Sequence, residues 1–421
     1  VVKATSALTG QGDILKLPCE VKYVFIKDQK LANKALKFLI KNANRKGVYY
    51  ALDVETTGFD PRLDQLLTIQ IGLAEDYQFI FDYRFLEKDL FIELFSSPCF
   101  FIGHNLKFDL SYIYHHFGVI PDKLFDTFLA ETIIRGASYS GGRYALDAVV
   151  ETRLGKQLKL ISSDISRASS EKLKERLDKA KKYMQSSFIK TTTEEFDKAQ
   201  LAYAAQDVSA GTIFAVMFSQ FKDLKVPYEN TTHSPSTAFI VCKTKEERKE
   251  YLKLCPKNIN LLPTAKLEFE FLKVVVKMEY NGIGFDLEKH KKVVNQIEKE
   301  YHEYREEFLN LLSERYSQKT LFGQAAINPD SHAQVLQAFH EIGLNVSETS
   351  ATELSRSLRE DNLCPYFENL INSLLGFRNM AKLFSSYGTN LSDLVHQKTK
   401  KLHPQIKQVL NTGRISVNHP N

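Results

Sequence analysis

The stretch VYYALDVETTGFD, residues 48–60, sets the hardest condition on the fold. An apolar run from Val48 to Leu52 leads directly into Asp53 and Glu55. Residues two apart on a strand point the same way, so these two acids share a face. Close carboxylates at the end of a buried strand raise each other's pKa unless something positive stands between them. A fold for this chain must bury the strand and still bring positive charge to its end. Taken alone, an Asp-x-Glu after an apolar run also suits a solvated turn.

At 421 residues the chain has room for two or three domains. With 43% hydrophobic and 25% charged residues it reads as globular rather than disordered. A formal net charge of +5 permits a polyanionic partner without requiring one. Five scattered cysteines (19, 99, 242, 255 and 364) form no C-x-x-C pair and read as reduced packing residues of a cytosol-like compartment. No apolar run suggests a membrane span, and the opening VVKATSALTGQGDILK lacks the pattern of a signal peptide. With no initiator Met and an abrupt NHPN ending, the sequence reads as part of a longer product.

Residues 1–20 read as a tail. Strands are expected at 22–28, 48–54, 65–72, 77–82 and 99–104, with the second to fourth forming an antiparallel meander broken at Gly58, Pro61 and AEDY. Helices are expected at 31–43, 106–118, 125–136 and, as one long amphipathic rod, 196–221. Residues 162–200 are Ser/Lys/Glu-rich and read as a solvated helical face. The cluster VPYENTTHSPSTAF (226–239) opens a linker, after which helical patterns dominate. The pattern is α/β: a mixed sheet flanked by helices, then a mostly helical region.

Three features downstream meet the opening pair. GHNLKFDL places Asp109 early in a helix after a strand, and YAAQD places Tyr203 and Asp207 one turn apart on a helix face. Each alone has a plain explanation: Asp109 as an acid favoured by the helix dipole, Tyr-x-x-x-Asp as chance. Together, Asp53, Glu55, Asp109 and Asp207 form an all-oxygen set, which selects hard cations such as Mg²⁺ or Mn²⁺. Two such ions about 3.5–4 Å apart serve phosphoryl displacement.

DVETTGFD, GHNLKFD and YAAQD resemble the three motifs of the DnaQ-like, ribonuclease H-like exonucleases, in the subgroup with tyrosine in the third motif. FDT (125–127) and YALDAVVETRLG (144–155) are similar to that family's linking segments. The resemblance implies that Asp53, Glu55, Asp109 and Asp207 bind two divalent metal ions. It also implies that Tyr203 orients the attacking water, that Thr56 touches the terminal nucleotide, and that Phe59 wedges against its base. Phe59 as a core aromatic remains the alternative. His104 and Asn105 would support the strand end and the substrate backbone, while His115 and His116 read as helix-surface residues.

The second half resembles the start of the polymerase domain of family A DNA polymerases. The resemblance rests on LEFEFLKVVVKMEYNGIGFDLEKHKK (267–292), INPDSHAQVLQAFHEIGL (327–344), LLGFRNMAKLFSSYG (374–388) and NTGRISVNHPN (411–421). It implies a thumb region with Arg378, Lys382, Thr412 and Arg414 as DNA contacts, and no palm or fingers within the sequence. The basic stretch VHQKTKKLHPQIK (395–407) suits phosphates or a solvated surface equally. The expected organisation is a tail (1–20), an exonuclease domain (21–225), a connecting segment (226–265) and a thumb-like region (266–421). The expected activity is Mg²⁺-dependent removal of nucleotides from a single-stranded DNA 3′ end, as proofreading for a polymerase, without membrane association. The setting would be a bacterial or phage-infected cytoplasm, or a plastid-like organelle. A ribonuclease D-like enzyme acting on RNA, or an inert DNA-holding scaffold, are the alternatives.

Overall fold

The computed structural model describes residues 21–45, 47–75, 77–137, 144–155, 186–189, 195–225, 244, 246, 260–359 and 363–418. The expected tail at 1–20, most of the solvated helical face at 162–200 and most of the connecting segment at 226–265 lie outside the described residues. Two compact units are formed, Val1–Asn281 with Gln405–Asn418, and Gly282–Pro404 with His419–Asn421.

The first unit is built on a six-stranded mixed sheet. Its strands are β1 (Tyr23–Ile26), β2 (Tyr49–Thr56), β3 (Leu66–Leu73), β4 (Tyr77–Asp82), β5 (Phe100–Gly103) and β6 (Lys123–Asp126), in the order β1-β4-β3-β2-β5-β6. Strands β2, β3 and β4 form the expected antiparallel meander. Strands β1, β5 and β6 join it in parallel. Helices α1 (Gln29–Ala43), α2 (Asp89–Phe95), α3 (Lys107–Phe117), α4 (Thr127–Ile134), α5 (Leu146–Leu154), α6 (Lys198–Asp207), α7 (Ala215–Lys225) and α8 (Leu262–Asn281) complete it.

The alternation along β2 decides what covers each face. Tyr50, Leu52 and Val54 point one way and join the core with Leu36 and Leu39 of α1, and the Tyr50 hydroxyl donates to the Leu39 carbonyl (2.7 Å). Ala51, Asp53 and Glu55 point the other way. Their cross-strand partners on β3 are Gly72, Gln70 and Thr68. Further along the sheet, Ile80 and Tyr23 pack against Leu201, Tyr203, Ala204 and Ala205 of α6. Apolar burial of this kind contributes about 25 cal/mol per Å², and α6 is tied down by it beside the two acids.

Three sequence expectations are corrected. Residues 123–126 form β6 before the helix begins, and Asp126 caps α4 by accepting from the Phe128 and Leu129 N–H groups. The expected rod at 196–221 is broken. After Asp207 the chain passes through extended Ser209 (φ −75°, ψ 153°) and a five-residue π-type turn, Ala210–Phe214, before α7 starts. Lys198–Lys225 is also long and apolar enough, by composition, to cross a membrane, which the sequence reading missed. Two-thirds of its most apolar window is buried, so its apolarity is spent on the core.

The second unit is mostly helical. Its long helices α9 (Leu287–Ser313) and α12 (Pro365–Tyr387) pack on each other, with α10 (His332–Glu341) and α11 (Ala351–Ser357) between them in sequence. Phe308, Phe339, Leu370, Leu374 and Phe377 form the core. Close approach of α9 and α12 requires Gly376, where an added Cβ would come within 2.6 Å of the Tyr304 ring. Pro365 opens α12 at a position where its missing N–H costs nothing.

Candidate active site

The four carboxylates meet at the end of β2. Asp53 and Glu55 lie on its α6-facing side, and Asp207 is the last residue of α6. Asp109, in the first turn of α3, accepts a hydrogen bond from the Val54 N–H (2.9 Å), which pins α3 to the strand between the two acids. Burial, then the charges of Asp109, Glu55 and Asp207, push the Asp53 carboxyl well above its ordinary range. Burial, then Asp207 and Asp109, do the same to Glu55. Burial pushes Asp109 up to about 8, although the N–H groups of its own residue and of Val54 oppose this. Among the described residues, the leading causes acting on these three acids include no lysine or arginine.

Such a cluster is unfavourable unless a positive charge from outside the chain resolves it. The donor set, carboxylate oxygens alone, fits a hard divalent cation. Among the described residues, no three His, Cys, Asp or Glu side chains are already arranged to hold an ion. The acids stand within electrostatic reach of one another without converging on a point.

The surrounding residues sort themselves by what they touch. Tyr203 is buried (8% exposed) one turn before Asp207, with its ring centroid 6.4 Å from that of Phe188. Phe59 is 88% exposed and meets only the edge of Phe108 among the described ring contacts, so it is not a core aromatic. The Thr56 hydroxyl donates to the Gly58 carbonyl (2.6 Å), and the Tyr112 hydroxyl donates to the same oxygen (2.9 Å). Thr56 therefore holds the turn that presents Phe59. His104 shares a hydrogen bond with the Thr127 hydroxyl (2.9 Å). Exposed Asn105 takes a left-handed backbone (φ 61°), a conformation asparagine tolerates better than most residues.

Asp126 was not singled out from the sequence. It is buried and accepts from four backbone N–H groups, those of Asn105, Leu106, Phe128 and Leu129. Burial pushes its carboxyl up to about 6, against the pull of those four donors. One side chain thus joins the entry of α3, which carries Asp109, to the start of α4. The only hint in the sequence was FDT at 125–127.

His115 and His116 are half-buried, each with a ring contact or hydrogen bond to the body of the unit. His115 shares a hydrogen bond with the Tyr280 hydroxyl (2.9 Å). His116 lies edge-on to Tyr83 (5.3 Å) and stacked over Tyr112 (6.4 Å). Thr412 and Arg414 are exposed in the turn before the short strand Ser416–Asn418. In the second unit Lys382 is exposed. Arg378 is half-buried and donates to the carbonyls of Thr349 and Pro329, so it braces α12 against the loops beside it.

Residues 23–217 match the 3′–5′ exonuclease family, and residues 287–421 match DNA polymerase family A. DNA polymerase I of Aquifex aeolicus is 26% identical over 395 residues, covering 92% of this chain and 56% of its own length. DNA polymerase I of Borreliella burgdorferi is 23% identical over 393 residues, covering 90% of this chain and 35% of its own length. The chain thus spans about half, or less, of these curated relatives. The fold is similar to that of the polymerase domain of Pol1 from M. smegmatis, solved in complex with DNA primer-template and dNTP. The TM-score is 0.60 at 13% identity, over 94% of this chain and 55% of that one. The ribonuclease H-like sheet with its acid-bearing strand, the helical second unit and these matches agree: the chain belongs to DNA polymerase family A and carries that family's 3′–5′ exonuclease domain followed by a segment of its polymerase domain.

Proposed function

We propose that this chain removes nucleotides one at a time from a DNA 3′ end, in a reaction dependent on two divalent metal ions, Mg²⁺ or Mn²⁺. We propose further that it serves as the proofreading part of a polymerase. The observation that carries the reading is the set of four carboxylates from three elements, three of which, Asp53, Glu55 and Asp109, are pushed up by burial and by neighbouring acids. Asp53, Glu55, Asp109 and Asp207 would hold the ions, which when bound activate water and stabilise the departing oxygen.

The chain's own residues do the rest. Phe59, exposed at a turn held by Thr56 and Tyr112, offers a face to the last base, and such stacking tolerates any sequence. Tyr203, one turn from Asp207, orients the water through its hydroxyl, which can donate and accept. That water attacks the terminal phosphorus in line, the bond to the preceding 3′ oxygen breaks, and a nucleoside monophosphate leaves. Lys382, Thr412 and Arg414, all exposed, are proposed to contact the DNA backbone, and residues 266–421 to form the thumb region that grips duplex. Arg378 would act there by bracing α12.

The test is single-nucleotide release from a 3′-labelled single strand in Mg²⁺. Asp53→Ala and Asp207→Ala are expected to lower the rate by a factor of about 10³ or more, with DNA retention unchanged in a filter assay. Full activity in both variants overturns the assignment. A parallel arm on RNA of the same sequence is expected to be slower, and equal or faster trimming would move the substrate class to RNA.

A further inference from the structure

Asp207 reaches the other acids only because α6 ends against the sheet, and one residue of β3 permits this. Gly72 pairs with Ala51 across the β2–β3 ladder, two residues along from the Asp53–Gln70 pair. Its missing side chain would therefore point to the same face as Asp53. On that face stands the carbonyl oxygen of Val208, the residue that caps α6 immediately after Asp207. A Cβ at position 72 would lie 1.9 Å from that oxygen and 2.9 Å from its carbon. Ordinary carbon–oxygen contact distances in sheets are about 3.3–3.6 Å, so even alanine would push the helix end outward by roughly 1.4 Å. The obstructing atoms are backbone, which cannot swing aside as a side chain would.

The chain around Val208 is shaped to the same contact. Val208 and Ser209 are buried, Ser209 is extended, and the Ser209 hydroxyl bonds to that of Thr212 as the π-type turn begins. The break falls on Asp207-Val208-Ser209-Ala210-Gly211-Thr212, a run poor in helix formers, so weak local propensity and the contact with Gly72 coincide there. The seat on Gly72 is the tertiary contact at which the helix stops.

We infer that Gly72 is a positioning residue for the exonuclease reaction, whose absent side chain sets the height of the α6 terminus above the sheet and so the reach of Asp207 toward Asp53 and Glu55. The inference rests on the functional reading above. It adds that Gly72 governs affinity for the metal ions without touching them or the DNA. Misplacing a reacting group by about 1 Å can cost a hundredfold in rate, and the displacement forced here is of that size.

The experiment measures Mn²⁺ binding by calorimetry in the absence of DNA, together with nucleotide release and thermal stability. It compares the intact wild-type chain with Gly72→Ala, Asp207→Ala and Leu39→Ala. Leu39 packs under the opposite face and serves as a control for destabilisation alone. Gly72→Ala is expected to weaken Mn²⁺ binding about tenfold or more, toward the Asp207→Ala value, and to slow release about a hundredfold. Leu39→Ala is expected to lower stability with Mn²⁺ affinity unchanged. If Gly72→Ala does not fold, Val208→Gly frees the same helix end with Gly72 in place, and a severalfold loss of affinity is expected. Wild-type Mn²⁺ affinity in Gly72→Ala, or in Val208→Gly should that be the variant measured, overturns this inference alone. A wild-type chain that neither binds Mn²⁺ nor releases nucleotides overturns the functional reading and this inference with it.

Discussion

Two groups of acids in the first unit make opposite arrangements for their charge. Behind α4, Glu131 has no exposed surface. Arg135 donates to it at 2.6 Å, Arg153 at 2.7 Å and Gln220 at 3.0 Å, and Arg153 also pairs with Asp223. Burial alone would raise the Glu131 carboxyl, but the Arg153 charge and these hydrogen bonds hold it below its ordinary value. At the end of β2, the same residue types are pushed the other way, and their neighbours are more acids. Charge satisfied within the chain marks a brace joining α4, α5 and α7. Charge left to be satisfied from outside marks a site. Burial by itself distinguishes neither.

The sharpest way to break that contrast is to neutralise one acid in each group. Glu131→Gln leaves two arginines partly buried against a neutral amide and is expected to cost about 3–5 kcal/mol in urea denaturation, with nuclease rate per folded molecule unchanged. Asp53→Asn relieves repulsion, so in EDTA it is expected to raise stability by about 1 kcal/mol while nuclease activity disappears. Equal and like-signed stability changes in the two variants would erase the distinction.

The next effect concerns pH. Asp53, Glu55 and Asp109 hold protons more tightly in the folded chain than in the unfolded one. Their contribution to stability is complete below about pH 4 and is lost as pH rises through the folded values, about 8 for Asp109. In EDTA, the Tm is expected to fall by about 5–10 °C between pH 5 and pH 8, and Mg²⁺ at pH 8 is expected to restore it. Asp109→Asn should flatten the slope. A wild-type Tm that is level across this range and indifferent to Mg²⁺ contradicts the account.

The smallest effect has the opposite sign. Burial, and then His115, lower His116 to about 4, and its Nε2 is buried without a partner. Its contribution is complete above about pH 6.5 and is lost as pH falls toward 4. Because the ring keeps some contact with solvent, His116→Phe is expected to remove only about 1 kcal/mol of acid sensitivity. An unaltered acid limb in that variant's denaturation curves would count against it.

Much of the site was legible because its chemistry is local. Asp-x-Glu after an apolar run, Asp109 behind a strand and Tyr203 a turn before Asp207 each declare a residue type in a recognisable setting. What stayed hidden depends on contacts distant in sequence. Strand β6 is only four residues long, too short for alternation to show, and its Asp126 flows into a helical pattern. The close seat of the α6 end on the sheet depends on Gly72, more than a hundred residues earlier. Arg378 looked like a ligand-facing cation, and nothing nearby in the sequence foretells that carbonyls at Pro329 and Thr349 will occupy it. Glu131 gave no sign of being a brace, because Arg153 comes from another helix.

The first unit is discontinuous in sequence. The chain leaves it after Asn281 and re-enters at Gln405. The re-entering segment is fastened to what came before: Glu279 accepts from the Ile406 N–H, Lys107 donates to both Glu279 and the Ile406 carbonyl, and Gln408 donates to Glu268. Synthesis runs from one terminus to the other at about 5–20 residues per second, so these fasteners emerge from the ribosome only after the whole of Gly282–Pro404. For that interval the nascent sheet and its acids exist without the bonds that Ile406 and Gln408 make, and the end of α8 is held by Arg62, Lys107 and His115. The same order gives translation a timer, since the nuclease unit becomes complete only once the helical unit has been made.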